Sequence, residues 1–423
     1  MLISYSVKNY RSIADQQVLS FAPMNRQKEY LSNILSEGEY SALNVVALYG
    51  ANASGKSNLI RGLSSFIQLL RNSAMDTSIS GLDYQPFLLR QGYDKKPIQM
   101  EIVFTIDGRR YRYGFEYNST EVVKEWLLKK DVGRESPLFE REGDTIDPSS
   151  PLSSNKKLVD LAIDATRSNA LFLSVCDALN IDEAKKIIAY LGNLSLINGN
   201  STSMFFGSSY NIRFWQNESY SPALQGLFSR MDVDVKEISF QRNESLYDIK
   251  TKHSLYDSEG NASGEMVTLD MLQHESSGTQ QAFRLSGPVI QSLLSGGVLV
   301  IDEIESKLHP VMTLRIIDLF LDKETNPKGA QLLFTTHDTN LLTYANLRRD
   351  QICFMEKNSW EASELFSLSD FVYYGEKDGH IIPEKERVDT DKEKRYIEGR
   401  YGAIPMLGEF KEYVKSLWQK EEK

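Results

Sequence analysis

The stretch GANASGKSN, Gly50 to Asn58, holds the densest chemistry in the chain. Gly50, Gly55, Lys56 and Ser57 fill the fixed places of a G-x-x-x-x-G-K-[ST] phosphate loop, and the preceding run NVVALY, Asn44 to Tyr49, reads as a buried strand. Binding a triphosphate calls for these residue types. Backbone N–H groups turned inward require glycine, an ammonium (Lys56) neutralises the outer phosphates, and a hydroxyl (Ser57) suits Mg²⁺. Asn52, Ser54 and Asn58 complete the lining of the loop, and the helix expected from Asn58 to about Leu70 turns its positive end toward the anion.

Two further strands end in reactive groups. VLVIDE, Val298 to Glu303, is apolar until it reaches two adjacent carboxylates: Asp302 is placed to hold Mg²⁺ through water, and Glu303 to polarise an attacking water. QLLFTTHD, Gln331 to Asp338, ends in Thr335, Thr336 and His337, on the edge where α/β sheets bind ligands. For His337 alone, a structural and a catalytic role stand equally open. HESSGTQQAFRL, from His274, opens a helix expected to bend at Gly287-Pro288 and to end at Ser295-Gly296-Gly297. Arg11 lies in a turn between two short strands, where its guanidinium either reaches a phosphate or is simply solvated.

The elements that position these groups follow from periodicity. Ile98 to Ile106, the Asp107-Gly108 turn, Tyr111 to Tyr117 and the strand after it form a β-meander. Tyr111, Tyr113, Phe115 and Tyr117 share one strand face, as core packing or as a platform for stacked bases. From about Arg134 to Val233 helical spacing dominates, with a loop-like Ser/Asn-rich stretch from Asn198 to Asn217, so this region reads as a helical insertion or lid. Strands are expected near Val235 to Gln241 and Ser245 to Lys252, and an amphipathic helix closes the last segment. The expected organisation is therefore an N-terminal lobe (1–133), an insertion (134–233), a C-terminal lobe (234–350) and a tail of strands and a helix (351–423).

Totals narrow the class. A chain of 423 residues with 41% hydrophobic and 25% charged residues has the composition of a soluble globular protein. Its net charge of -10 argues against wrapping nucleic acid with the whole surface, although a local basic groove stays open. Cys176 and Cys353 sit far apart in apolar stretches, as small core residues of a reducing compartment. The sequence shows neither the apolar run of a signal peptide nor a membrane-length apolar segment, and a cytoplasmic location is expected.

Taken in order, the opening ISYSVKNYRSI, GANASGKSN, ESSGTQQ, VLVIDEIESKLHP, FTTHDTNLL and the closing YIEGRYGAIP resemble the ATP-binding cassette (ABC) ATPases of the SMC/RecF/OLD branch. More closely, they resemble the bacterial AAA-type ATP-binding proteins of the RloA/AbiLi kind, associated with phage defence and abortive infection. The resemblance implies an α/β fold: an ABC-ATPase (P-loop) head with a mixed sheet and a β-meander lobe, plus a helical insertion. It also implies ATP and Mg²⁺, hydrolysis to ADP and phosphate, and a homodimer with ATP at its interface. Ser276, Ser277 and Gly278 then stand in the signature sequence that reaches the partner's γ-phosphate, with Glu275 where the family has leucine and an extra acid placed near the anion. Ser306 to His309 take the place of the D-loop, and His337 that of the switch histidine. Gln85 takes the metal-sensing glutamine's place, and Arg11 gains weight as a phosphate contact. Neither a coiled coil of SMC length nor a fused Toprim nuclease is evident. The expected function is an ATP switch of an anti-phage system controlling a separately encoded effector, a nuclease or other toxin; the alternative is a RecF/SMC-like DNA-binding ATPase of repair.

Overall fold

The computed structural model describes residues 1–421 other than 78, 132, 150–151, 199–208, 232, 244–245, 378–379, 386–389 and 406–407. At its centre six strands lie in the order β11 (Leu194–Asn198), β15 (Val298–Asp302), β16 (Gln331–Thr335), β5 (Val45–Tyr49), β17 (Ile352–Lys357) and β18 (Ser363–Ser367). Neighbours run parallel from β11 to β17, and β18 is antiparallel, so the sheet is mixed. Strands β5, β15 and β16 are buried along their whole length. This accounts for their unbroken apolar runs, because a parallel strand covered on both faces has no polar side to alternate with.

Alternation along each strand feeds two cores. Val46, Leu48, Val298, Val300 and Leu333 enter one core with helix α1 (Lys56–Asn72). Val45, Ala47, Leu299, Ile301, Leu332 and Phe334 enter the other with α8 (Ser277–Ser295) and α9 (Pro310–Leu321). The first core is closed by a seven-stranded antiparallel sheet, ordered β10 (Thr145–Pro148), β9 (Ser136–Glu142), β8 (Val122–Lys130), β7 (Arg109–Tyr117), β6 (Ile98–Ile106), β1 (Leu2–Lys8) and β2 (Gln17–Ser20). Tyr111, Tyr113, Phe115 and Tyr117 are fully buried, and Phe66 of α1 stacks on Phe115 with ring centroids 5.0 Å apart. The aromatic stripe is therefore core packing, at about 1.5–3 kcal/mol of water exclusion per large side chain. The buried Gln331 carboxamide joins the two sheets: it accepts from Leu2 N–H at 2.6 Å and donates to the carbonyls of Leu2 (2.9 Å) and Leu43 (3.0 Å).

Smaller elements surround this frame. β3 (Ile34–Glu37) and β4 (Tyr40–Leu43) form a hairpin. Helices α3 (Phe172–Ala178) and α4 (Asp182–Gly192) lie against α1, with α2 (Lys156–Ala165) beside α3. α5 (Ser209–Gln216) and α6 (Ser221–Phe228) lie against α8. β12 (Glu237–Asn243), β13 (Leu246–Tyr256) and β14 (Ala262–Asp270) make a three-stranded antiparallel sheet next to α7 (Met271–His274). After β16 come α10 (Leu341–Tyr344), the hairpin β19 (Val372–Lys377) and β20 (His380–Lys385), α11 (Lys392–Ile397) and α12 (Phe410–Glu421). Among the described residues, no helix is long and apolar enough to cross a membrane.

Several local expectations are corrected. After Arg134 the chain first forms β9 and β10, which extend the meander, and β11 later joins the central sheet, so strands flank the helices of this stretch. In the Ser/Asn-rich stretch, 199–208 lie outside the described residues, but α5 follows where loop was expected. Its Ile212 and Trp215, three apart, are buried, and Trp215 stacks on Phe283 at 5.1 Å. β14 was not legible because it is almost wholly exposed and shows no alternation. The tail from Ile352 supplies β17, paired directly with the phosphate-loop strand β5.

Arg348 anchors the start of β17. Fully buried, its guanidinium takes both Asp350 carboxylate oxygens (2.9 and 2.8 Å) and donates to the Glu29 carbonyl at 2.7 Å. Truncation would leave a buried, uncompensated carboxylate. Arg348→Ala is expected to lower stability by about 3–5 kcal/mol in urea denaturation; a loss below about 1 kcal/mol would mean that water replaces the guanidinium at no cost.

Candidate functional site

Strand order brings the three reactive strand ends together. β16 lies between β15 and β5, and all three point the same way, so Asp302, Thr335 and the phosphate loop share the carboxyl edge of the sheet.

The loop from Gly50 to Gly55 requires glycine at both ends. Gly50 has φ +153°, and a Cβ there would lie 2.3 Å from the Met355 carbonyl oxygen; Gly55 has φ +111°, and a Cβ would lie 2.1 Å from Ser363 Oγ. Ala53 also adopts φ +64°, and the Ser54 N–H that follows it closes a turn on the Ala51 carbonyl at 3.2 Å. Ser54 is buried and its hydroxyl has no protein partner among the described residues, whereas Asn52 is exposed. Asn58 Nδ2 donates to Ser12 Oγ (2.8 Å), Ser363 Oγ donates to the Ser54 carbonyl (2.7 Å), and the Ser363 N–H donates to the Ser12 carbonyl (2.8 Å). The turn that carries Arg11 is thereby fastened to the loop.

Lys56, at the start of α1, is 5% exposed and donates to the carbonyls of Gly50 (2.7 Å) and Ala51 (3.2 Å). Burial lowers its pKa to about 8, against the pull of Asp302, Glu303 and Glu305. Ser57 follows it, half-buried in the first turn of the helix.

A single hydroxyl organises the acids. Thr335 Oγ1 donates to Asp302 Oδ1 at 2.6 Å and accepts the Glu303 N–H at 2.7 Å. Glu303 sits at φ +58°, a conformation that costs a non-glycine residue about 1–2 kcal/mol. The Ile304 N–H on the Thr335 carbonyl (3.1 Å) and the Ser306 N–H on the Glu303 carbonyl (3.0 Å) hold that turn in place. Glu305 Oε1 accepts the His337 backbone N–H at 2.7 Å, while its Oε2 is buried without a hydrogen-bond partner among the described residues. His337 is exposed, yet desolvation, followed by the Lys56 charge, lowers the pKa of its ring. The ring is therefore neutral near pH 7 and keeps one N–H to donate.

Ser276, Ser277 and Gly278, expected as the signature, lie at the N-terminus of α8. Ser276 caps that helix by accepting the Thr279 N–H (3.1 Å), and Ser276 and Ser277 are exposed. A Cβ on Gly278 would lie 3.3 Å from the Lys307 carbonyl, so the N-terminus of α8 adjoins the Ser306 to His309 turn. His309 caps α9 through Nδ1, which accepts the Val311 N–H at 3.3 Å. The Glu275 carboxylate is tied to β13: Thr251 Oγ1 donates to its Oε1 at 2.5 Å and His253 Nε2 lies 2.7 Å from the same oxygen. Gln85 meets Arg11 through the backbone, its carbonyl accepting the Arg11 N–H at 2.8 Å, while its amide donates to Asp83 at 2.6 Å. No described contact takes that amide to the phosphate loop.

The donors fit a hard cation held together with a polyphosphate. Among the described residues no group of three or more His, Cys, Asp or Glu side chains is arranged to hold a metal. Ser57 and Asp302 instead offer the one or two oxygen ligands that Mg²⁺ takes from protein when phosphates supply the rest. Sequence reasoning missed Glu305, whose only signal was a second acid two places after Glu303. It also missed Ser363, for which the sequence held no signal.

Two outcomes follow from this geometry. Because Lys56 titrates near pH 8 and polyphosphate favours its charged form, nucleotide binding at about pH 8.5 should take up protons and weaken as pH rises. Calorimetry in buffers of different ionisation enthalpy reads this directly; no proton uptake would remove Lys56 as the buried cation. Thr335→Val keeps shape but removes both hydrogen bonds, at about 1–3 kcal/mol for the unpaired groups. ATP turnover should fall about tenfold or more with a smaller change in nucleotide affinity, and an unchanged turnover would deny Thr335 its positioning role.

Comparison with known proteins adds the family. A search of curated proteins gave no match. Among solved structures, the chain is similar to the SmcHead bound to the C-winged helix domain of ScpA, at 16% identity and TM-score 0.39, over 86% of this chain and 97% of that one. It is also similar to cbiO1 from Clostridium perfringens, part of the ABC transporter complex cbiONQ, at 14% identity and TM-score 0.25, over 44% of this chain and 61% of that one. The family model described as "AAA domain, putative AbiEii toxin, Type IV TA system" matches residues 45–343, from the first residue of β5 past His337. The chain belongs to this family of AAA-type P-loop ATPases.

Proposed function

We propose that this ATPase is the switch of a bacterial anti-phage system: two copies close head to tail over ATP and so control a separately encoded toxic effector. The observation that carries the reading is the division of the machinery within one chain. One sheet edge gathers Lys56, Asp302, Glu303 and His337, while Ser276 and Ser277 face solvent with the Ser276 hydrogen bonds kept inside its own helix cap. A site of that kind becomes complete when the signature of a second copy covers the bound phosphates.

On this reading Lys56 and the loop N–H groups of Gly50 to Ser57 bind the phosphates, and Ser276 to Gly278 of the second copy reach the outermost one. Ser57 and Asp302 would hold Mg²⁺, which supplies charge neutralisation when bound. Glu303, fixed by its unusual backbone turn, orients the attacking water, and the neutral His337 donates to the γ-phosphate. Arg11, fastened beside the loop, adds a second cation near the nucleotide, and Gln85 moves with it through their shared backbone hydrogen bond. We assign residues 1–133 and 234–350 to the two ATPase lobes, and 134–233 and 351–423 to effector docking as well as to the strands they lend the sheets. The defence role draws support from the toxin–antitoxin wording of the family description and from the sequence resemblance.

Glu303→Gln should bind ATP, stop hydrolysing it and double its mass in solution on addition of ATP and Mg²⁺, whereas Lys56→Ala should bind no nucleotide. Light scattering, repeated after co-expression with the neighbouring genes, checks both the closure and the effector. Normal hydrolysis by Glu303→Gln would overturn the role of that carboxylate. Unchanged phage sensitivity after deletion of the gene and its neighbours would overturn the defence role, and ATP-dependent, salt-sensitive DNA binding would favour a repair function instead.

A further inference from the structure

The parallel pairing of β15 with β16 stops at Ile301 and Phe334. Glu303 and His337 both lie past that point, two residues beyond Ile301 and three beyond Phe334, where the strand ladder no longer fixes one against the other. Any constant offset between the two groups has to come from turn amides and side chains.

Glu303 is secured twice. Its N–H donates to Thr335 Oγ1 at 2.7 Å, and the Ile304 N–H donates to the Thr335 carbonyl at 3.1 Å, with the Ile304 side chain fully buried behind it. Both bonds stop at Thr335. Thr336 is still held to β5, through its N–H on the Leu48 carbonyl at 3.1 Å, and then the chain leaves the sheet. The next donor along the chain is the His337 N–H, and it goes to Glu305 Oε1 at 2.7 Å. The Asp338 N–H merely folds back on Thr336 Oγ1 at 2.9 Å, within the same segment. Beyond it, the Thr339 hydroxyl donates to Glu393 Oε1 at 2.7 Å and anchors the far side. His337 is thus suspended between two carboxylates, and only Glu305 belongs to the turn that carries Glu303.

Glu305 commits its side chain to this contact. Its Oε2 is buried without a hydrogen-bond partner among the described residues, so the bond from His337 is the one that the carboxylate makes there. Its own backbone is fixed, because its carbonyl accepts the Leu308 N–H at 3.0 Å. The charge of Glu305 also acts on Lys56 and on the His337 ring, which sets the carboxylate among the groups of the phosphate site.

We propose that Glu305 is a positioning residue of the ATPase: it ties the backbone of His337 to the turn of Glu303, and so holds the histidine ring at a fixed offset from the attacking water. The inference rests on the roles given to Glu303 and His337 above. Glu305 acts through His337, not on the nucleotide, and its contribution is geometric.

The test measures ATP turnover, and ATP affinity by calorimetry, with the full chain. Glu305→Ala removes the acceptor, and Glu305→Asp keeps a carboxylate but withdraws it by one methylene. Each should lower kcat about tenfold or more, with a change in affinity below about threefold, because a misplacement of about 1 Å is costly in turnover. Glu305→Gln keeps an oxygen for the His337 N–H and should stay within about threefold of the parent. His337 is exposed, so water can take the freed N–H and the Ala variant should fold; if it does not, Asp and Gln carry the comparison. His337→Ala should itself lower kcat, and adding Glu305→Ala or Glu305→Asp to it should cost less than about twofold more, since the two residues act as one unit. Losses that multiply in the double variant, as independent structural effects would, overturn the positioning role. Full turnover by Glu305→Ala does the same, as does an affinity loss as large as the turnover loss. A Glu305→Asp that works while Glu305→Gln fails also overturns it, because charge and not the hydrogen bond would then be the active feature. Full turnover by His337→Ala overturns the assignment of the histidine itself, and the role of Glu305 with it.

Discussion

An ammonium buried among carbonyls and carboxylates is a costly object, and the architecture is arranged around tolerating one. Lys56 is withdrawn from water, retained by two loop carbonyls, and the fields of Asp302, Glu303 and Glu305 oppose the burial that lowers its pKa. Those acids reach it from strand β15 and the turn after it, which are adjacent in space only because β16 lies between β15 and β5. Strand order, the two covering cores and the Thr335 hydroxyl all serve to hold unlike charges at one edge. The lowered pKa of Lys56 expresses the same balance: a site in need of an anion, maintained without collapse onto its own carboxylates.

Much of this site was legible in the sequence because its chemistry is local. A phosphate loop is a contiguous run with fixed glycine places, and Gly50 and Gly55 occupy backbone conformations in which any Cβ would strike a neighbour. Buried parallel strands announce themselves as unbroken apolar runs, so the strands before Lys56, Glu303 and His337 were readable one at a time. The relations among them were not. Nothing near Ser363 signals that its hydroxyl supports the Ser54 carbonyl, and nothing in the spacing of Thr335 signals that one oxygen serves both Asp302 and Glu303. Glu275 is a further case: nothing in its spacing signals that one of its oxygens is shared by Thr251 and His253 of β13. That tie makes the β12–β14 sheet part of the mounting for the N-terminus of α8.

Exposure misled the reading of secondary structure in a consistent way. β14 carries few apolar residues at alternate positions because almost no residue of it is buried, so the period that betrays a strand is missing. α5 lies in a polar, serine-rich stretch and is held by the buried anchors Ile212 and Trp215, with Phe214 packed against the same core. In both cases partners distant in sequence decide the structure: β13 for the strand, and Phe283 of α8 for the helix.

The pairing of β17 with β5 has a consequence for how the protein comes into being. The strand that delivers the chain to the phosphate loop has as neighbours β16 and β17, both made some three hundred residues later. During synthesis β5 therefore waits with two bare edges, a slow and aggregation-prone condition for so apolar a segment. Ser363, which buttresses the loop, comes later still. The grip of the loop on a nucleotide thus waits on segments far downstream: the ATPase completes its phosphate site only after β16, β17 and Ser363 have been translated and have joined β5.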